Sequence, residues 1–444
     1  MTNAVNTREL ALGILLDITK EGEYSHNAGS DVLDKYQYLD KKDRAFITRL
    51  TEGTLEHLLT INYMIDQFSK VSVKKMKPVI RCIIQSAVYQ ICYMDAVPDS
   101  AACNEAVRLA KRKGFQNLSG FVNGVLRTIV RSRTQVVWPD QEKHPVMSLS
   151  VRYSVPEWMI SMWAEEFSYD LSREQGVQKM EQLLYAFSEP APVTIRVNTL
   201  CSSPRQLWQR LEQEGVTVQA CEAGLPYALQ ISGYDYLRAL SSFQQGLFYI
   251  QDVSSMLAVC AASVKEHDFV LDVCAAPGGK SMQAALLMNG SGHVLARDLT
   301  QHKIDLLDEN RKRCGISNIE TQVWDARIPD PACFEKADVV LADLPCSGLG
   351  VMRRKKDIRY RMTPGKMRDL VQLQREILSV VHAYVKPGGR LVYSTCTVHR
   401  DENEGNAEWF EREHAAFKRI SSRQIMPNEE SGDGFYIAVF QKEL

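Results

Sequence analysis

Two cysteines stand in segments that can do chemistry. One is in Asp343-Leu344-Pro345-Cys346-Ser347-Gly348, the other in Tyr393-Ser394-Thr395-Cys396. Each follows a short apolar run that reads as a β-strand (Val339–Ala342 and Arg390–Tyr393), so both thiols fall at the carboxyl edge of a sheet, where open α/β folds bind ligands. A lone cysteine is most often a small core hydrophobe, and that is the reading for the other nine. Two at one ligand edge, one of them three residues after an aspartate, form a candidate site. A thiolate that adds to carbon 6 of a cytosine turns carbon 5 into an enamine-like nucleophile, able to attack a methyl group on a sulfonium. A carboxyl group near ring nitrogen 3 stabilises the adduct, and a second proton-handling group must then take the proton from carbon 5. Cys396, Cys346 and Asp343 supply that set, although residue types alone leave open which thiol attacks.

A glycine turn lies at the same edge. Asp272-Val273-Cys274-Ala275-Ala276-Pro277-Gly278-Gly279-Lys280-Ser281 joins the strand Phe269–Val273 to a helix start. Glycines let backbone approach a ligand, and a helix N-terminus favours a carboxylate. A dinucleotide fingerprint needs G-x-G, which is absent. A phosphate-binding P-loop would fit Gly279-Lys280-Ser281, but Cys274 stands where its first glycine belongs and Pro277 lacks a backbone donor. The remaining reading is a turn for a nucleoside joined to an amino acid. The next strand ends at Asp298, placed to bind the two hydroxyls of a ribose, and the third runs into Asp325, placed to accept from an adenine amine. Any one of these acids could be a helix cap; three at consecutive strand ends are harder to explain so.

The elements that carry these residues divide into three parts. Residues 1–140 read as all helix: Leu10, Ile14, Leu15 and Ile18 keep helical spacing, and Pro78 to Tyr93 is nearly all apolar, as a central buried helix would be. Residues 141–240 combine a Pro-containing linker with helices (Pro156 to Phe167, Pro204 to Glu214) and strands (Val193 to Val197, Val216 to Val218), a small α+β connector. Residues 241–444 alternate strands and helices in the rhythm of an open, mainly parallel, Rossmann-like sheet. The N-terminal 26 residues carry charges through their apolar pattern and read as an amphipathic helix rather than a signal peptide.

Bulk properties exclude several classes. The net charge is −1, so contact with nucleic acid must come from local clustering. One cluster runs from Arg108 to Arg133, with Lys111, Arg112, Lys113, Arg127 and Arg131 between and no acid; charge alone leaves RNA surface and plain surface evenly matched. Another is Arg353 to Arg361, six bases and one acid, read as phosphate-contacting beside a base pocket. No apolar stretch can cross a bilayer. Eleven scattered cysteines without a Cys-x-x-Cys argue for reduced thiols in a cytoplasm and against a zinc site; no metal is expected.

Taken together, these segments resemble the RNA cytosine-5 methyltransferase family. Its glycine motif matches Asp272 to Lys280, its D-x-P-C-S-G motif Asp343 to Gly348, and its Thr-Cys motif with a following Glu-Asn-Glu run matches Thr395-Cys396 and Glu402-Asn403-Glu404. Gln251 to Ser255 and Asp433-Gly434-Phe435 also look like family elements. The whole chain is similar to the bacterial small-subunit ribosomal RNA branch of Fmu/Sun type, whose helical N-terminal domain resembles the antitermination factor NusB; Asn104 to Lys111 and Gly120 to Arg127 carry that likeness. The resemblance implies Cys396 as nucleophile, Cys346 in product release, and Asp343 and Lys280 in the catalytic set. It implies S-adenosylmethionine contacts from Cys274, Ala275, Ala276, Pro277, Gly278, Gly279, Lys280, Asp298, Asp325 and Asp343. It also implies 16S ribosomal RNA as partner. The target base must be unstacked or already in a loop to reach a thiol, so an exposed hairpin-loop cytosine is the expected target, and a monomer is expected. Arg297, before the ribose aspartate, departs from the family's small or apolar residue and is expected to point away from the ribose. Two rival readings stand: a non-catalytic RNA-binding factor on the same scaffold, opposed by the intact cysteines and glycine loop, and a P-loop nucleotide hydrolase, opposed by Cys274.

Overall fold

A computed structural model describes residues 6–21, 39–169, 172–221, 223–427 and 429–444. The chain forms two compact units, residues 1–188 with 352–361, and residues 189–351 with 362–444. The first unit runs on past residue 140, as far as Ser188. Pro145 opens a helix, Pro145–Tyr153, in place of a linker: its missing N–H costs nothing at the first helical position. Helices Glu157–Phe167 and Arg173–Ser188 follow it in the first unit.

That unit is helical. The apolar stretch expected to be a central helix is one, Pro78–Tyr93, buried along most of its length among Leu12, Ile47, Leu50, Ile61, Leu126 and Ile129. The N-terminal helix spans Thr7–Leu16 and continues as a π-turn to Glu21; the remainder of that amphipathic reading lies outside the described residues.

The segment read as a phosphate-contacting loop does something else. Arg353, Lys356 and Arg359 are buried, and residues 352–361 belong to the helical unit. Arg359 Nη1 donates to the carbonyl of Ser154 at 3.2 Å and of Tyr153 at 3.3 Å, and the Tyr360 hydroxyl donates to the Leu55 carbonyl at 2.8 Å. Lys356 pairs with Glu56 at 3.2 Å. Helices Lys41–Glu56 and Pro145–Tyr153 end here, and their last carbonyls have no partner within the helix. A cation and a phenol satisfy them, with a favourable dipole interaction besides.

The second unit holds two sheets. The smaller has the order β2-β3-β1-β4, all antiparallel: β1 Val193–Val197, β2 Thr217–Ala220, β3 Ala228–Ser232 and β4 Phe248–Ile250. Asn198 Nδ2 donates to the carbonyls of Gly246 and Cys314, both at 2.8 Å, tying this module to helix Gln301–Arg313. Gly246 has φ +69°, and a Cβ there would lie 2.0 Å from the Arg313 carbonyl oxygen, so only glycine fits.

The larger sheet has the order β10-β11-β9-β8-β5-β6-β7. Its strands are β5 Phe269–Asp272, β6 His293–Asp298, β7 Ile319–Val323, β8 Ala337–Asp343, β9 Val385–Thr395, β10 Phe417–Ile425 and β11 Phe435–Lys442. β7, β6, β5, β8 and β9 run parallel, while β11 is antiparallel to both β9 and β10. The chain reverses direction of travel at β5: β6 lies on one side and β8 on the other. The loop after β5 therefore opens into the crevice where such sheets bind ligands. The fold is Rossmann-like, with an apolar layer on each face of the sheet.

Candidate active site

The glycine turn leaves β5 at Asp272 and enters helix Gly279–Leu287. Gly278 has φ +106°, and a Cβ would meet Leu307 at 2.9 Å; at Gly279 the nearest atom would be 3.6 Å away. The requirement for glycine is therefore at Gly278. Asp272 is wholly buried and accepts from the Ser281 hydroxyl at 2.6 Å, which fastens the turn. Burial pushes its carboxyl up to about 7, against the Ser281 hydrogen bond and the Lys280 charge.

A raised aspartate means that the folded protein holds a proton the unfolded chain has released. Its stabilising contribution is complete below about pH 4 and is lost as pH rises through about 7. Asp272→Asn removes that dependence. The fall in thermal midpoint between about pH 5 and pH 8 is expected to be about 5 °C smaller than in wild type, measured by circular dichroism.

β6 ends at Asp298. Its Oδ2 accepts from the Ala276 N–H at 3.0 Å, and its Oδ1 from Leu299 N–H at 2.7 Å and Lys303 Nζ at 2.9 Å. Trp324 N–H, after β7, donates to the Asp298 carbonyl at 2.9 Å and so brings Asp325 to the same edge. Asp325 pairs with Arg327 through both oxygens, at 3.0 and 2.7 Å. Arg297 points away from this edge, as its alternation along β6 requires: it bonds Gln322 at 2.8 Å, pairs with Asp330 and lies over the Trp324 ring.

Two apolar residues went unnoticed in the sequence. Leu299 is 56% exposed directly after Asp298, and Ile328 is 55% exposed three residues after Asp325. Exposed apolar side chains next to two acids suit an adenosine, with one flat apolar face and polar edges. The Gly278 turn, Asp298, Asp325, Leu299 and Ile328 thus fit S-adenosylmethionine. The available signal was a leucine where a strand leaves the core.

β8 and β9 bring the reactive groups together. Asp343 Oδ2 accepts from Lys280 Nζ at 2.7 Å, and its Oδ1 from the Ser394 hydroxyl at 2.8 Å. Burial opposes the charge on Lys280, but Asp343 outweighs it and holds the ammonium above its ordinary range. Cys346 Sγ and Cys396 Sγ are 3.3 Å apart. The Cys346 thiol is pushed well up, first by its hydrogen bond with Cys396, then by burial and by the carboxylates of Glu402 and Asp343. Cys274 is pushed up by burial and by Asp298, Asp272 and Asp343, so this third thiol of the edge is held neutral. Gly350 N–H donates to the Cys396 carbonyl at 3.1 Å and Gly434 N–H to the Gly350 carbonyl at 3.0 Å, so three loops fix the Cys396 backbone. All the site residues read from the sequence lie along one edge, with Asp298 and Asp325 towards β7 and the thiols at β8 and β9.

The basic patch of the helical unit is less free than its composition suggests. Arg108 pairs with Glu105 at 2.6 Å, Arg112 and Lys113 with Glu9 at 2.8 and 2.7 Å, and Arg133 with Asp99 at 3.1 Å. Among the described residues, Lys111, Arg127 and Arg131 have no carboxylate partner. No group of three or more metal-ligating side chains and no helix able to cross a membrane occurs among the described residues.

The model of the 16S rRNA methyltransferase RsmB/F family matches residues 259–441, that of the NusB family residues 5–131, and that of the RsmF/B-like methyltransferase ferredoxin-like domain residues 155–234. A probable ribosomal RNA small subunit methyltransferase B of Bacillus subtilis is 34% identical over 99% of both chains. The ribosomal RNA small subunit methyltransferase B of Proteus mirabilis is 27% identical over 100% of both. Among solved structures, PH0851 superposes with a TM-score of 0.82 at 25% identity over 99% of both chains. NSun6 from Pyrococcus horikoshii with SFG gives a TM-score of 0.55 at 23% identity, covering 63% of this chain and 97% of that one, a likeness of fold.

Proposed function

The chain belongs to the 16S rRNA methyltransferase RsmB/F family, and from that premise we propose that it methylates carbon 5 of a cytosine in small-subunit ribosomal RNA through a covalent adduct. The observation that carries this reading is the pair of thiols, Cys346 and Cys396, 3.3 Å apart beside Asp343 and next to the glycine turn. Oxygen- or nitrogen-directed methyl transfer needs no thiol, whereas carbon 5 of a pyrimidine needs one to activate it and a base to release it.

When bound, S-adenosylmethionine supplies an electrophilic methyl group on a sulfonium. The Gly278 turn, Asp298, Asp325, Leu299 and Ile328 would hold it. Cys396 adds to carbon 6, and Asp343 faces the amine and ring nitrogen 3 of the base. Lys280 keeps Asp343 in place through the 2.7 Å ion pair. After methyl transfer, the thiolate of Cys346 takes the proton from carbon 5. The electrons of that C–H bond form the 5,6 double bond, the bond from carbon 6 to sulfur breaks, and Cys396 leaves as thiolate. Their close approach lets one sulfur hold the proton while the other is ionised.

The target base must be unstacked to reach a sulfur, so an exposed hairpin-loop cytosine is the target class. Lys111, Arg127 and Arg131 of the NusB-like helices, within residues 1–140, supply phosphate contacts. The enzyme acts as a cytoplasmic monomer. The test is to incubate the purified chain with methyl-labelled S-adenosylmethionine and a 16S transcript or small subunits, then digest the RNA to nucleosides. Label is expected in 5-methylcytidine at one position. Label in another nucleoside, or none with either substrate, overturns the reading.

A further inference from the structure

Glu402 is a buried carboxylate directly behind the thiols, and the reaction as written does not use it. It is 0% exposed. Its Oε2 accepts from the Ser347 main-chain N–H at 2.8 Å and from Gln374 Nε2 at 3.0 Å. The same Gln374 nitrogen donates to the Pro345 carbonyl at 2.9 Å. The residue before Cys346 and the residue after it are therefore held by one carboxylate–amide pair. The Ser347 hydroxyl lies 2.8 Å from the Thr397 hydroxyl, which binds this turn to the residue next to Cys396. Tyr393 and Asn406 fix Gln374 in turn, at 3.3 and 2.7 Å. The other oxygen of Glu402 faces Nδ1 of His399 at 3.3 Å, and His399 is only 7% exposed, with Asp401 at 3.9 Å from its Nε2.

Burying a carboxylate costs several kcal/mol unless it is paired and hydrogen-bonded. Bonds to a carboxylate are roughly twice as strong as bonds to a neutral amide oxygen, so the charge holds the Ser347 turn more firmly than a glutamine would. The carboxylate's bonds to Ser347 and, through Gln374, to Pro345 flank Cys346 on both sides.

We propose that Glu402, with His399 beside it, is the positioning residue for the release thiol, setting the Cys346 turn against Cys396 so that the methylated adduct can be resolved. This rests on the reading that Cys396 attacks and Cys346 releases. Glu402 touches neither base nor cofactor; it acts through the turn. Its loss should leave the adduct able to form and slow its resolution, which is not what a general loosening of the fold would do.

The experiment uses the full chain, S-adenosylmethionine and a 16S transcript, with wild type, Cys346→Ala, Glu402→Gln and His399→Gln run side by side. The readout is the ratio of covalent protein–RNA adduct on a denaturing gel to methylated RNA released. Glu402→Gln is expected to raise that ratio at least about tenfold, with His399→Gln raising it less. Normal ratios in both variants overturn the inference, as does a parallel loss of adduct and product in both. If Glu402→Gln does not fold, His399→Gln decides. If Cys346→Ala itself traps no adduct, the underlying assignment of the thiols has failed; if it traps and neither Glu402→Gln nor His399→Gln does, only the role of Glu402 has.

Discussion

Cys396→Ala is expected to lose methyl transfer to small-subunit ribosomal RNA by at least about a thousandfold, and to form no covalent adduct. Without addition at carbon 6, carbon 5 of cytosine is not nucleophilic enough to attack a sulfonium methyl, and no other group at this edge can replace a thiolate. Cys274 is kept neutral by burial and three nearby carboxylates. Cys346 lies 3.3 Å from the position vacated, but burial and the carboxylates of Glu402 and Asp343, which also push its thiol up, remain when Cys396 is gone. The companion change, Cys346→Ala, should methylate once and then accumulate adduct. Geometry alone is nearly symmetrical between the sulfurs, so the comparison is decisive: adduct in Cys396→Ala and none in Cys346→Ala would exchange their roles.

The second large effect concerns Asp343. Asp343→Ala removes the acceptor for Lys280 at 2.7 Å and for Ser394 at 2.8 Å. It is expected to cost about 3 kcal/mol of stability, because Lys280 remains as a cation in a site where burial opposes its charge. Activity should fall at least about a hundredfold, since the contact to the amine and ring nitrogen 3 is lost as well. The two losses separate in a double variant. Lys280→Met on the Asp343→Ala background removes the orphaned charge, so urea unfolding should recover most of the stability while methylation stays low. Recovery of activity along with stability would mean that Asp343 only holds Lys280.

The catalytic edge was legible in the sequence because each of its parts is local. An apolar run followed by Asp-x-Pro-Cys, or by an Ala-Pro-Gly-Gly turn, states strand, exit and reactive group within ten residues. The helix Pro78–Tyr93 was legible for the same reason: a proline start and unbroken apolar character. What composition could not reveal was partners. The stretch Arg108 to Arg133 contains no acid, yet Glu9 and Asp99 come to it from elsewhere in the chain. Arg359 looked like a phosphate ligand because its true acceptors are main-chain carbonyls at helix ends, which no side-chain pattern displays. Glu402 was matched as part of a motif, but its role depends on Ser347 and Gln374, each reached only through the sheet.

The borrowing of residues 352–361 by the helical unit has a consequence for synthesis. A nascent chain that has emerged as far as residue 188 lacks the guanidinium and phenol that close the ends of two of its helices. Everything from residue 189 to 361 must leave the ribosome before those groups arrive, on the order of 10–35 s at bacterial elongation rates. Vectorial folding from the N-terminus is thus halted one step short. The first-made part of the molecule is completed by a piece of the last-made part, so a protein truncated anywhere before residue 361 lacks the end of its beginning as well as its own end.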